Sequence, residues 1–258
     1  MKKFLCFLFV FLILCSACAK RTPIESAVPT EITHPASQPT APTEVPGTES
    51  TIPTGYIQIN HPATGEPVLV LREYARIFEL NADMVGWVEI PGTRLSYPVM
   101  QTPDSPNYYL NRNFQKEEHR AGSIYAFEQA NVAESDNVTL YGHNMANGSM
   151  FAGLHNYRSK EFYDDNAYIQ FDSLYAKRTY QIFAVFEINI SRDPFHYHAF
   201  TDGDAAAFDS FVENCRKRSL YDTDVEVSYG DKLLTLSTCD NNFSTNTGRF
   251  VVVAKQIS

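Results

Sequence analysis

Basic side chains never gather in this 258-residue chain: its net charge is −9 and its longest cationic cluster is Arg216-Lys217-Arg218. Without concentrated positive charge there is no electrostatic footprint for a phosphate backbone, so nucleic acid is not an expected partner. The triplet itself reads as a solvated helix face. Internal repeats are absent. Cysteine is scarce where it could crosslink a core, since three of the five lie within the first 18 residues and only Cys215 and Cys239 follow. Cys215 falls in the helical pattern Ala205 to Leu220, where Phe208, Phe211, Val212 and Cys215 form one stripe. It is expected as a small core residue rather than a disulfide partner.

One apolar run stands out, Phe4 to Leu14, preceded by Lys2 and Lys3 and followed by Cys15-Ser16-Ala17-Cys18-Ala19. This is the grammar of an export signal. As a helix, Phe4 to Ala19 spans roughly 24 Å against a hydrocarbon core of roughly 30 Å. Three readings stay open. Leu14 to Cys18 resembles a lipoprotein cleavage box with Cys18 lipidated, although Cys15 stands where leucine is usual. A retained membrane anchor and free secretion are the others. Each puts the rest of the chain outside the cytoplasm, at the outer face of the membrane if the N-terminus holds it there. Residues 1–19 are thus a leader. Residues 20–58, rich in Pro, Thr, Ser and Glu with hardly an aromatic, cannot bury enough surface to offset chain entropy. They read as a tether reaching roughly 33 Å as a coil and roughly 110 Å if polyproline-like. Residues 59–258 hold 14 of the 15 Tyr, 14 of the 18 Phe and the only Trp, so one core is expected there.

Helical spacing of Leu71, Tyr74, Ala75, Ile77, Phe78, Leu80 and Met84 predicts a helix or two over 68–86. Short extended runs follow at 87–90, 97–100, 122–127, 137–141, 168–172, 178–190, 232–238 and 249–257, with a helix inserted at 205–220. About eight strands separated by turns make the fold mainly β, a closed barrel or a sandwich with peripheral helices.

Two of these runs carry the chemistry. Pairing Lys232–Cys239 antiparallel with Arg249–Lys255, with Cys239 opposite Arg249, puts Leu234, Leu236, Phe250, Val252 and Ala254 on a core face. Thr235, Ser237, Cys239, Arg249, Val251 and Val253 take the other. A thiol then emerges beside a guanidinium, a neighbour that favours the nucleophilic thiolate. His143 follows the run Asn137–Tyr141 at the strand end and opens a polar loop. Nucleophile, proton carrier and oxyanion stabiliser are all supplied.

These residues resemble the sortases, the cysteine transpeptidases that join surface proteins to the Gram-positive cell wall, and most nearly class B. Thr235-Leu236-Ser237-Thr238-Cys239 is similar to the T-L-x-T-C signature, Arg249 stands at class B spacing, and Leu140-Tyr141-Gly142-His143-Asn144-Met145 resembles the histidine segment. Gly86 to Thr93, Tyr97 to Gln101, Asn107 to Leu110, Gly122 to Tyr125 and Gly148 to Phe151 resemble class B blocks in the same order, covering about residues 70–257. The resemblance implies an eight-stranded β-barrel with a helix inserted between late strands, and catalysis by His143, Cys239 and Arg249. Ser237, on the Cys239 face, and Thr238, turned toward the core, are the expected substrate-binding residues. The implied partners are surface proteins bearing a sorting signal and, as acceptor, a peptidoglycan-precursor or pilin amine. No metal or cofactor is implied, although another sortase class uses calcium. Asn241 departs from relatives that carry an acid two residues past the cysteine, so no carboxylate from that position can orient His143. His34, His61, His119 and His155 lack ligand-like neighbours, His196-Tyr197-His198 reads as a polar loop, and Asp104 and the acidic runs read as solvated. A cell-wall peptide hydrolase and a non-catalytic surface lipoprotein are the alternatives; against the first, His143 precedes Cys239 and the cysteine ends a strand.

Overall fold

Short alternating strands bury a face only by pairing, and here they pair into a closed ring. The computed structural model describes residues 52–243 and 246–258; the leader and most of the tether lie outside the described residues. In chain order the elements are β1 (Tyr56–Asn60), β2 (Pro67–Leu71), α1 (Arg72–Leu80), β3 (Met84–Glu89), β4 (Ser96–Met100), β5 (Ile124–Ala126), β6 (Asn137–Tyr141), α2 (Lys160–Asp165), β7 (Tyr168–Ser173), β8 (Thr179–Asn189), α3 (Ala205–Arg218), β9 (Leu233–Cys239) and β10 (Gly248–Gln256). Eight strands close a barrel in the order β10-β8-β7-β3-β4-β5-β6-β9, while β1 and β2 form a separate antiparallel hairpin. The open choice between barrel and sandwich thus resolves as barrel. Most neighbours are antiparallel, but β6 runs parallel to β9, which brings the C-terminal ends of both strands to one rim.

Alternation along β9 and β10 produces two cores. Leu234, Leu236, Phe250, Val252 and Ala254 fill the barrel with Val88, Val99 and Leu140. Val251 and Val253 face outward beneath α3, which buries Phe208, Phe211, Val212 and Cys215 against Phe183 and Phe186. Asp204 caps α3 by accepting from the Ala207 amide at 2.9 Å, and the cationic triplet occupies its last turn, where the helix dipole favours it. Cys215 is unpaired and fully buried, and burial pushes its thiol far above the ordinary range. Arg216 and Lys217 of the triplet are exposed, as a solvated face requires; Arg218 is half-buried and forks onto Asp193 at 3.0 and 2.7 Å, and Arg216 donates to the Val225 carbonyl at 2.6 Å.

Two boundaries differ from the sequence reading. The helix expected over 68–86 is only α1, because Leu71 belongs to β2 and Met84 to β3. Their burial is won by strand pairing, which overrides local helical spacing. Residues 56–58, assigned to the tether, are strand: Ile57 and Ile59 sit opposite Val70 and Val68.

Candidate active site

The rim where β6 and β9 end together gathers the predicted residues. Cys239 is the last residue of β9, is exposed, and lies opposite Arg249 in the β10 register. Along β6 the last pair is Tyr141 with Ser237. Beyond it the chain stays tied to β9: the Gly142 amide donates to the Ser237 carbonyl at 3.2 Å and Thr238 Oγ1 donates to the Gly142 carbonyl at 2.8 Å. Asn144 Nδ2 then donates to the Cys239 carbonyl at 3.2 Å. Since the residues on both sides of His143 are bonded to Ser237, Thr238 or Cys239, His143 leaves the backbone beside the cysteine. Glycine is needed at 142, where a Cβ would stand 2.4 Å from Ile124 Cδ1 and 2.7 Å from Phe151 Cγ.

His143 is oriented by a backbone carbonyl. Its Nε2 lies 2.7 Å from the Leu110 oxygen, in the 3-10 turn Tyr108–Asn111. A carbonyl only accepts, so Nε2 carries the hydrogen and, in the neutral ring, Nδ1 keeps its lone pair. The carboxylate that Asn241 fails to provide is thus replaced by a neutral acceptor. That carbonyl is itself wedged: Gly122 has φ +58°, and a Cβ there would meet the Leu110 oxygen at 2.2 Å.

Arg249 is held at its own end, with Nη1 donating to the carbonyls of Asn246 and Gly248 at 2.9 and 2.8 Å. The hydroxyls expected to meet substrate are engaged internally. Ser237 is buried and bonded to the Tyr197 phenol at 2.7 Å, and Thr238 is buried on Gly142. Both hydroxyls are buried, and their internal bonds brace the site from behind. Tyr125 and Tyr141, paired in the β5–β6 register, cover the outer face nearby, and burial raises the Tyr125 phenol to about 12.

A second layer lies under Cys239 that the sequence reading missed. His155 and Arg158 belong to the 3-10 helix Ala152–Arg158. His155 Nε2 lies 3.1 Å from the Cys239 carbonyl and Arg158 Nη1 lies 2.8 Å from His155 Nδ1. Arg158 also reaches Glu187 through Nε at 2.6 Å and Asp240 through Nη2 at 2.8 Å. The Asp240 side chain is 1% exposed, and its Oδ2 is buried without a partner among the described residues. Burial first, then the Arg158 charge, lowers the His155 pKa, so its neutral form is favoured. The available signal was the i, i+3 spacing of His155 and Arg158 together with an acid directly after Cys239.

The sortase domain model matches residues 88–257, a span that includes every residue named above for this site. The chain belongs to the sortase family. It is 35% identical over 181 residues to sortase B of Listeria monocytogenes, covering 70% of this chain and 72% of that protein. Its fold is similar to the Staphylococcus aureus sortase B–substrate complex, with a TM-score of 0.67 and 32% identity over 73% of this chain and 86% of that one. Sortase B of Clostridium perfringens is likewise similar, with a TM-score of 0.66 and 30% identity over 71% of this chain and 99% of that one. This sortase is therefore a class B-like cysteine transpeptidase on the eight-stranded barrel of those relatives.

Proposed function

We propose that this sortase cleaves a C-terminal sorting motif of surface proteins at a threonine-like residue and transfers the acyl group to a cell-wall or pilin amine. Cys239 sulfur attacks the scissile carbonyl, its proton passing to Nδ1 of His143, and the oxyanion forms toward the Arg249 guanidinium. Collapse breaks the C–N bond, and His143 returns the proton to the departing amine. A thioester on Cys239 remains. The acceptor amine then attacks it, His143 takes a proton from the amine nitrogen, and the C–S bond breaks to release thiolate and the new amide. The observation that supports this reading most is the shared rim: Cys239 opposite Arg249, with both neighbours of His143 bonded to the Ser237–Cys239 segment.

The leader fits a role at the outer face of the cytoplasmic membrane, attached by lipid on Cys18 or by a retained N-terminal segment. Mass analysis of the mature N-terminus separates these: a diacylglyceryl cysteine at position 18 supports the first, an intact leader the second. The chemistry is tested by screening peptides of NPxTx and LPxTG type with an added amine. Cleavage after threonine coupled to amide formation is expected for one class, with no product from Cys239→Ala; turnover by that variant would remove Cys239 from the mechanism.

A further inference from the structure

We propose that His155, held in place by Arg158, is a positioning residue that aims Cys239 through that residue's own carbonyl; this rests on Cys239 being the nucleophile. The need arises from the sheet. Among the described residues, β6 accompanies β9 only as far as Tyr141 opposite Ser237, and its last backbone contact is the Gly142 amide on the Ser237 carbonyl. Cys239 lies two residues further on. On its other side the ladder to β10 closes with the Asp240 amide on the Gly248 carbonyl at 3.0 Å, which does not involve the Cys239 oxygen. A strand end lacking a ladder donor at that carbonyl is free to rock, and the sulfur rocks with it. Two side chains take the place of the missing strand. Asn144 donates at 3.2 Å from the His143 loop, and His155 at 3.1 Å from the 3-10 helix.

His155 can donate there only in one tautomer, and its surroundings select it. Arg158 Nη1 has hydrogens alone to offer, so Nδ1 of His155 accepts and Nε2 carries the proton toward Cys239. The ring is also packed, 4.8 Å from the Phe250 ring centroid, with the Arg158 guanidinium 4.9 Å from the same ring. Arg158 is in turn fixed by Glu187 of β8 and by the buried Asp240, the residue next to the nucleophile. The relay thus grips Cys239 twice, at its carbonyl through His155 and at the following residue through Asp240. Outer groups that orient an inner one in this way act on the reaction without touching substrate.

The test compares His155→Phe, which keeps a ring against Phe250 but has no donor, with His155→Gln, which restores an N–H at about the reach of Nε2. For the full chain with a cleavable sorting peptide, His155→Phe should lower kcat by about 10- to 100-fold, the scale of a small misplacement of a reacting group. KM should stay within about twofold, since no substrate contact is removed. His155→Gln should recover most of the loss. Thermal midpoints of both variants separate positioning from unfolding, and if His155→Phe fails to fold, His155→Leu, likewise without a donor, replaces it in the comparison. Equal activity of the donor and non-donor variants, whether both normal or both impaired, would overturn the proposal, as would a change confined to KM. Activity surviving in Cys239→Ala would instead overturn the proposed nucleophile and leave the relay a structural feature.

Discussion

At the scale of single residues, the site depends on directional groups more than on charge. Arg249 has its Nη1 tied to two backbone carbonyls, which sets the plane of the guanidinium and leaves the direction of its remaining donors defined. Lysine would keep the charge but replace that fork with a point charge on a flexible stem. Arg249→Lys is therefore expected to lower kcat/KM by roughly 30- to 1000-fold, about 2–4 kcal/mol of transition-state stabilisation, with a near-normal rate of Cys239 alkylation. Full transfer activity in the lysine variant would show that Arg249 acts by charge or structure alone. The Cys239–Arg249 pairing was legible in the sequence because both strands alternate strictly and a two-residue period fixes which side chains emerge together. Ser237 was harder to read. It shares the Cys239 face as its position predicts, but Tyr197, forty positions away in the 3-10 turn Tyr197–Ala199, covers it, and no periodicity reports such a contact.

At the scale of elements, the loops bordering the rim do the orienting. The Leu110 carbonyl that holds His143 is backed by Gly122, which sits at positive φ because only a residue without Cβ fits against that oxygen. Gly122→Ala must push the 3-10 turn Tyr108–Asn111 away from its place. It should cost about 1–3 kcal/mol of stability, as overpacking does. It should also reduce activity in the fraction that remains folded, because the acceptor of His143 moves with the turn. Thermal melts and kcat measured on the folded protein check both halves; an unaffected kcat would show that the Leu110 contact is dispensable. His155 was set aside in the sequence reading for want of ligand-like neighbours, and its partners show why. They are a backbone carbonyl and an arginine three residues on, and that arginine is in turn held by acids that only the barrel's closure brings to it. The first helix was over-extended for the opposite reason, since the spacing of Leu71 and Met84 looked helical while both were destined for strands.

At the scale of the whole molecule, two half-buried histidines connect stability to pH. Burial lowers the pKa of His155, aided by Arg158, and burial lowers that of His198, aided by His196. The unfolded chain therefore takes up protons on these rings before the folded one does. Their contribution to stability is complete above the unfolded value of about 6.5 and is lost as pH falls below it toward the folded values. Melting temperature should drop between about pH 7 and about pH 5. The drop should be smaller in His155→Gln, and an identical slope in that variant would place the titration elsewhere. The central claim is that Cys239 becomes acylated by a sorting peptide and passes the acyl group to an amine. Intact-mass analysis of the protein incubated with a cleavable peptide, followed by peptide mapping, tests this most directly. The account predicts an adduct equal to the acyl half of the peptide, located on Cys239 and not on the buried Cys215, that disappears as amide product forms when an amine is added. An adduct elsewhere, or product formation through a pathway in which Cys239 is never acylated, would contradict it.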